Sequence, residues 1–322
     1  MKASKRGAKQ GERQVVAELA RLFGARHRHV ELAIGDDAAL LRVGAARLVW
    51  TVDTSVEQVH FERRWLSVAD IGYRAVQAAV SDLAAMGATP LAMLSNLALP
   101  RGFGRRDLQQ LAQGQALAAR ELSCPVVGGN LTRADALSVT TTVLGTARKP
   151  LRRDGAQVGD ELWLVGNVGL ARAGLLALQS GIRSRSRALT SCMTTWRRPQ
   201  ALIRQGLSLV GRARCAIDVS DGLADDAGRL AAASKVQFVI DERALLAALP
   251  RSLVQAAELL GETALNLALM GGEDYALLST GPRGKRPRGA ATIGEVAKGR
   301  GVLLRSGHRN VSLSELGFDH FR

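Results

Sequence analysis

The stretch that decides the fold lies at residues 212–241 and reads RARCAIDVSDGLADDAGRLAAASKVQFVID. Its first part, through Ile217 and Val219, is apolar enough for a buried strand, and Gly222 ends that strand. Apolar residues at helical spacing follow, so Ser220 or Asp221 is a candidate cap for a helix. The stretch therefore predicts a strand, a tight turn and a helix in succession.

Four aspartates lie within positions 218–226 of this stretch. Asp225 and Asp226 fall in the first turn of the predicted helix, where the helix dipole favours anions, and this position accounts for them. Asp218 instead ends a buried strand, and an unpaired buried carboxylate is costly. Asp218 therefore requires a cation, a set of hydrogen-bond donors or a shifted pKa.

A second acid of this kind lies on the helix predicted over residues 67–87. Ser67 and Asp70 have the spacing of a capping box at its start, and Gly87 ends it. At about 100° per residue, Asp82 points within roughly 20° of the apolar face of this helix, so we expect Asp82 to be buried. A metal ion or a cluster of donors would satisfy its carboxylate.

Further carboxylates lie where strands are predicted to begin or end. Asp36 and Asp37 follow a strand-like segment, and Asp53 shares a strand face with Thr51. With Asp82, Asp218 and Asp221 they make six, and oxygen ligands without His or Cys suit Mg²⁺ better than Zn²⁺. The usual phosphate motifs, G-x-x-x-x-G-K-[ST] and G-x-G-x-x-G after a strand, do not occur in the sequence. The chain is thus expected to bind Mg²⁺ and a phosphate outside the P-loop and Rossmann classes.

The length and element pattern predict two domains. The chain has 322 residues, more than a single core usually accommodates. Strands and helices are intermixed throughout, and residues 148–159 are polar and rich in turn residues. We expect an N-terminal α+β domain over residues 12–148 for metal binding and dimerisation, and a C-terminal α+β domain over 149–322 for nucleotide and substrate. Residues 1–11 are expected to form a basic mobile tail.

The chain is strongly basic, with 44 Lys and Arg against 29 Asp and Glu and a formal net charge of +15. Residues 181–214 hold eight Arg and no acid, and residues 281–310 hold eight Lys or Arg with one Glu. Such patches suit phosphate-rich ligands or nucleic acid, but an arginine-rich composition produces the same excess without a ligand. An aromatic content of 4% leaves few stacking platforms and disfavours nucleic acid. Within this region, residues 182–196 have weak periodicity.

Cysteine usage and hydropathy indicate a cytoplasmic protein that is not associated with a membrane. Cys124, Cys192 and Cys215 are far apart and show no metal-ligand or redox spacing, as expected for reduced thiols. The first residues lead into no apolar signal-peptide core, and no run of about 18 apolar residues follows.

Eight segments together resemble bacterial thiamine-monophosphate kinases, within the aminoimidazole ribonucleotide synthetase-like superfamily. They are GDDAALL (35–41), TVDTSVEQVHF (51–61), VSDLAAMGATP (80–90), VGGN (127–130), RRDGAQVGD (152–160), IDVSDGLADD (217–226), GGEDYALL (271–278) and GFDHF (317–321). The resemblance runs from about residue 12 to the end. It implies a two-domain α+β fold with a mixed sheet packed with helices in each domain.

The resemblance also implies an activity, which is ATP-dependent phosphorylation of thiamine monophosphate to thiamine diphosphate. Transfer would be direct and assisted by several Mg²⁺ ions, without a covalent nucleophile. It further implies a homodimer formed through strands of the first domain, for which RLVWTVDTSV (47–56) and LSVTTTVLG (137–145) are the candidates. The implied metal ligands are Asp37, Thr51, Asp53, Asp82, Asn130, Asp218 and Asp221; the implied ATP contacts are Gly129, Asn130, Arg153 and Ser220; and His60, Glu273 and Phe318 would line the thiamine side.

Four positions depart from the family pattern. Asn130 replaces a metal-binding Asp and still offers an amide oxygen, with one charge fewer. Leu170 replaces an Asp of the glycine turn, Val52 replaces a Thr or Ser, and Phe318 replaces a Trp or Tyr while keeping a ring for stacking. His60 also has a purely structural interpretation as an ordinary strand histidine.

Three alternatives remain open from sequence. One is another ATP-using member of the superfamily that forms an amidine or a selenophosphate, although the reactive N-terminal cysteine of the selenophosphate enzyme is absent because the first Cys is Cys124. Another is a paralogue that has lost activity. The last is a basic nucleic-acid-binding protein on an old enzyme scaffold, suggested by the +15 charge.

Overall fold

The structure is a computed structural model that describes residues 12–24, 27–182 and 186–313. The predicted basic tail and Phe318 lie outside the described residues. The helices are α1 (Glu12–Phe23), α2 (Val68–Ala85), α3 (Arg105–Glu121), α4 (Leu170–Gln179), α5 (Arg187–Arg197), α6 (Ile203–Leu209), α7 (Leu223–Ser234), α8 (Glu242–Ala248), α9 (Arg251–Leu260) and α10 (Ala264–Met270). The strands are β1 (Val30–Leu32), β2 (Ala39–Val43), β3 (Ala46–Val56), β4 (Thr89–Leu99), β5 (Val126–Arg133), β6 (Ser138–Thr146), β7 (Glu161–Val165), β8 (Cys215–Val219), β9 (Gln237–Asp241), β10 (Ala276–Gly281), β11 (Ala290–Ala297), β12 (Gly301–Ser306) and β13 (Arg309–Ser312).

The first sheet has six strands in the order β1-β2-β3-β6-β4-β5, and α2 and α3 pack together beside it. The long α2 begins where the capping spacing predicts, because the Ser67 hydroxyl accepts a hydrogen bond from the Asp70 amide at 3.1 Å. Fourteen of its 18 residues are buried, so α2 forms the centre of this half of the molecule.

The second sheet has seven strands in the order β13-β12-β9-β11-β7-β10-β8. Every residue of the edge strand β8 and of its neighbour β10 is buried, as their apolar sequences predict. Helices α4, α5, α7, α9 and α10 contribute to the core against this sheet. The two sheets are built from strands on either side of residues 148–159, where we propose the domain boundary.

Helix α2 also contacts the second half of the molecule, through β8, α5 and α6. The residues that link the halves include Ala84 of α2, whose carbonyl oxygen would lie 2.0 Å from a Cβ added to Gly206 of α6. Only glycine allows helices to approach this closely. The contact brings the C-terminal half of α2 beside the end of β8, and this juxtaposition positions the site described below.

Three local features differ from what the sequence predicts. Residues 182–196, weakly periodic in sequence, include most of α5, which buries Leu189, Cys192 and Trp196 against its neighbours. Strand β5 is not predicted from sequence, because Gly128 and Gly129 interrupt its apolar pattern. Gly222, rather than Ser220 or Asp221, is the N-cap of α7 and makes no side-chain capping bond. No helix among the described residues is long and apolar enough to cross a membrane.

Candidate active site

Three aspartates from both halves of the molecule meet at one point. Asp37 precedes β2, Asp82 lies on α2 and Asp218 lies on β8. Each contributes one carboxylate oxygen to a group whose members all lie within 4.8 Å of one another. Asp37 and Asp218 are buried, as the strand-end argument predicts for Asp218. Asp82 is half-buried, less than its place on the apolar face predicts, because it borders a cavity.

Each carboxylate of this cluster is held by one neighbouring side chain. The Thr51 hydroxyl donates to Asp82 Oδ2 at 2.5 Å, and the Ser81 hydroxyl donates to Asp218 Oδ2 at 2.7 Å. The Arg153 guanidinium donates to Asp37 Oδ1 at 2.7 and 3.2 Å.

The second oxygen of Asp37 stands apart from these bonds. Oδ2 is buried and has no hydrogen-bond partner within the part of the chain that the structure describes. A buried acceptor without a donor is rare in folded proteins. This atom is therefore open to a cation.

Burial dominates the electrostatics of the cluster. It raises the pKa of Asp37 to about 7 even though Arg153 opposes the shift. Burial also raises the pKa of Asp82 well above its usual range, and the charges of Asp218 and Asp37 raise it further. The pKa of Asp218 is raised by burial and lowered in part by the hydrogen bond from Ser81. Three carboxylates this close repel one another, and a divalent cation would relieve the repulsion.

A second acidic group surrounds Arg229 on α7. Its guanidinium lies 2.5 Å from Asp221, 3.1 Å from Asp225 and 3.6 Å from Asp226. Asp226 Oδ2 also accepts the backbone N–H groups of Ser220 and Asp221 at 3.0 Å each. Asp225 and Asp226 therefore have the structural role at the helix start that the sequence predicts. Asp226 also orders the loop that carries the two candidate ligands.

A cavity of about 370 Å³ opens beside the cluster. His60, Ser220 and Glu273 line it together with Asp53, Asp82, Asp218 and Asp221, so most of the predicted residues share one space. The backbone N–H of Val56 donates to His60 Nδ1 at 3.1 Å, which places the ring proton of neutral His60 on Nε2. Burial raises the pKa of Asp53 in this space.

The loop that carries Glu273 is held against the loop of Ser220. The Glu273 amide donates to the Ser220 carbonyl at 2.7 Å, and the Tyr275 amide donates to the Val219 carbonyl at 2.9 Å. A Cβ on Gly272 would lie 2.5 Å from the Ser220 carbonyl, so the approach requires glycine. Glu273 and Tyr275 have φ of 65° and 51°, a conformation that is uncommon for non-glycine residues and costs energy.

A larger cavity of about 1110 Å³ lies on the other side of Asp37. It is lined by Gly35, Asp36, Arg153 and Arg229, with apolar residues of α1, β3 and α7. Two arginines at the rim of a wide apolar space suit a ligand with a ring and a chain of phosphates.

Gly129 and Asn130 are not brought to the cluster. Gly129 pairs with Ser95, Ser95 with Thr141, and Thr141 with Asp53, so three strand spacings, or about 14 Å, separate Gly129 from Asp53. A Cβ on Gly129 would lie 1.7 Å from the Ser95 carbonyl oxygen, so the close packing of β5 against β4 explains why glycine is needed here. Asn130 lies on the exposed edge strand β5. The nucleotide and metal roles of both residues stay predictions.

Sequence reasoning missed several residues around the cluster. Ser81 and Arg229 hold carboxylates, and Asp274 accepts the backbone N–H groups of Gly169 and Ala171 at the start of α4. Arg74 is buried on α2, but at 100° per residue it points about 80° away from Asp82, so the argument from the apolar helix face does not identify it. The others form contacts across the sequence and leave no local pattern.

The comparisons with known proteins identify the family of the chain. The family models for AIR synthase related proteins match residues 35–147 with their N-terminal domain and residues 157–276 with their C-terminal domain. A thiamine-monophosphate kinase from Aquifex aeolicus is 33% identical over 84% of this chain and 88% of its own length. The chain belongs to the thiamine-monophosphate kinase family. Another relative with this name, from Synechococcus elongatus, is 34% identical over 89% of this chain and 91% of its own length.

A solved member of the thiamine-monophosphate kinase family has the same fold. The structure of AaThiL complexed with AMPPCP and TMP superimposes with a TM-score of 0.90 at 29% identity, over 99% of each chain. The resemblance to the kinase family and the two-domain α+β fold predicted from sequence are both confirmed. Of the positions that depart from the family pattern, Leu170 is buried in the core of the second half, and Asp274 occupies the helix start beside it.

Proposed function

We propose that this protein transfers the terminal phosphate of ATP to thiamine monophosphate, giving ADP and thiamine diphosphate. The observation that carries this proposal is the cluster of Asp37, Asp82 and Asp218, which joins both halves of the molecule between two cavities, Asp82 and Asp218 lining the smaller one and Asp37 the larger. Relatives over most of the chain are named thiamine-monophosphate kinase, and one was solved with an ATP analogue and TMP. A reaction between two polyanions needs such a point of cation binding.

The residues present fit Mg²⁺. The donors are carboxylate and hydroxyl oxygens, and Asp37 Oδ2 has no hydrogen-bond partner among the described residues. Asp37, Thr51, Asp53, Asp82, Asp218 and Asp221 would hold the ions. When bound, Mg²⁺ supplies positive charge that offsets the phosphate charges of both substrates.

The reaction does not require a general base among the side chains. The attacking oxygen belongs to a phosphate monoester, which is largely a dianion at neutral pH because its second pKa is about 6. No residue therefore needs to remove a proton, and the protein acts by positioning its substrates. Arg153 and Ser220 border the two cavities and are placed to bind the phosphates of ATP, while His60 and Glu273 line the acceptor side.

The proposal is tested by the choice of acceptor. Release of ADP from Mg-ATP is measured with thiamine monophosphate, free thiamine and no acceptor, and the products are separated by chromatography. We expect thiamine diphosphate with the monophosphate and little product with free thiamine. If no thiamine diphosphate forms at saturating Mg²⁺, the assignment is wrong.

We also propose that the protein is a homodimer that works in the cytoplasm, where its substrate ATP is made. The first sheet supports the dimer, because its edge strand β5 is exposed along all eight residues and its outer face exposes Trp50, Val52 and Leu94. A long exposed edge and an apolar face favour covering by another chain. Strands β3 and β6, expected from sequence to form the interface, are paired on both sides and could contribute only through their faces.

A further inference from the structure

The carboxylate of Glu273 is held at both oxygens. The Arg74 guanidinium donates to Oε1, and the Trp196 indole N–H donates to Oε2 at 2.8 Å. The Arg74 guanidinium also lies over the Trp196 ring, 4.8 Å from its centroid, and donates to the Trp196 carbonyl. Arg74 comes from α2 and Trp196 from α5, so residues of both halves of the molecule fix one carboxylate.

Arg74 is 3% exposed, which is unusual for an arginine. Burial alone would lower its pKa, but attraction to Glu273 raises it above its usual value, so the guanidinium stays charged. A buried ion pair is weak evidence for added stability, because desolvation offsets its attraction. The arrangement therefore calls for a role other than holding the fold together.

The lining of the smaller cavity indicates that this role is ligand binding. The metal-binding carboxylates lie at one part of its lining, and Glu273 lies in the same lining with apolar Val59, Leu175 and Met270. A carboxylate accepts hydrogen bonds and donates none, and its two oxygens have about four acceptor positions, of which Arg74 and Trp196 occupy two. Glu273 thus still has acceptor positions for a bound molecule.

We propose that Arg74 and Trp196 are positioning residues that fix the Glu273 carboxylate to accept the exocyclic amine of the acceptor's aminopyrimidine ring, and so determine acceptor specificity. This inference rests on the proposed function. In thiamine monophosphate the phosphate is anionic, the thiazolium ring has no N–H, and the hydroxyl of thiamine is esterified. The exocyclic amine is therefore the hydrogen-bond donor that a carboxylate can recognise.

The test compares thiamine monophosphate with its desamino analogue, in which hydrogen replaces the amine. For the wild-type enzyme we expect kcat/KM to be roughly 10- to 100-fold lower with the analogue, as for loss of a hydrogen bond to a charged group. Trp196→Phe keeps a ring but removes the N–H donor. We expect this variant to discriminate at least about fivefold less, through a higher KM for thiamine monophosphate with kcat and the KM for ATP nearly unchanged.

Trp65→Phe is the matched control, because Trp65 packs edge-on against Trp196 with ring centroids 6.4 Å apart and lines neither cavity. Trp65→Phe should keep the wild-type ratio of kcat/KM for thiamine monophosphate to kcat/KM for the desamino analogue. If Trp196→Phe does not fold, Arg74→Lys, which keeps the charge but loses the planar fork, should show the same reduced discrimination.

An unchanged ratio in the folded Trp196→Phe or Arg74→Lys variant would overturn the inference. Failure of the proposed function is a separate result, because the wild-type enzyme would then form no thiamine diphosphate at all. Equal kcat/KM for both acceptors in the wild type would also overturn the inference while leaving the kinase activity in place.

Discussion

Asp82 and Asp218 test the metal site at the scale of single residues. Asp82→Asn and Asp218→Asn remove a ligand charge and nearly preserve shape. We expect activity to fall by at least about 10²-fold, because charge stabilisation of phosphoryl transfer is lost. Thermal stability without Mg²⁺ should stay the same or rise, because fewer crowded carboxylates repel. Activity assays and thermal melts with and without Mg-ATP measure both effects.

Asp160 provides the matched control for these variants. It is 3% exposed, pairs with Arg214 at 3.0 Å and accepts the Gln157 amide, but lies outside both cavities. Asp160→Asn should destabilise the fold by roughly 3 kcal/mol as a broken buried pair, with the folded fraction fully active. If Asp82→Asn behaved like Asp160→Asn, its carboxylate would be structural.

The pKa of Asp37 predicts how stability depends on pH without Mg²⁺. Its value is raised by burial from 3.8 to about 7, so between these values the folded state binds more protons than the unfolded state. Stability from this group is complete below about pH 4 and is lost as the pH rises through about 7. We expect the melting temperature to fall between pH 5.5 and 8, with a smaller fall in Asp37→Asn.

Asp274 adds to this pH dependence, because burial raises its pKa to about 7 as well. Asp37→Asn should therefore reduce the slope without abolishing it. Melts at a series of pH values with chelator present give the measurement, and a melting temperature that rises across this range would contradict the assignment.

At the scale of elements, the loop before β10 is tested by its glycine. Gly272→Ala would place a Cβ 2.5 Å from the Ser220 carbonyl, and we expect a loss of roughly 1–3 kcal/mol in stability together with weaker binding of thiamine monophosphate. Gly228, within α7, has open space around its Cβ position, so Gly228→Ala should instead stabilise by roughly 0.5–1 kcal/mol. Denaturant unfolding measures the free energy of unfolding of both variants. Equal changes would show that the close approach at Gly272 does not require glycine.

The same scale shows what sequence can and cannot predict. The strand at Asp218 and the capped helix α2 are predicted because their patterns are local and strong. The helix α5 is missed although Leu189, Cys192 and Trp196 are buried at helical spacing, because few apolar residues mark this face and Arg, Ser and Thr surround them in the sequence. The three aspartates of the cluster are each predicted from sequence. Their meeting at one point depends on how α2 packs against β8, which no local pattern encodes.

At the scale of the whole molecule, we expect a homodimer. Sedimentation at micromolar concentration should give twice 34.2 kDa. Leu94 is 46% exposed on the outer face of the first sheet, and Leu94→Lys should shift the protein towards the monomer. Leu259 on α9, 50% exposed, is the control, and Leu259→Lys should leave the dimer intact. A wild-type protein that sediments as a monomer would contradict this prediction.

The central claim is direct transfer between two substrates held by one charged site. It is tested most directly by following the label from ATP that carries ³²P in its terminal phosphate, mixed with thiamine monophosphate, Mg²⁺ and the enzyme. We predict that the label appears in thiamine diphosphate, in step with ADP formation, and that Asp218→Asn reduces both by at least about 10²-fold. Label released only as inorganic phosphate, or no label in thiamine diphosphate, would contradict the claim.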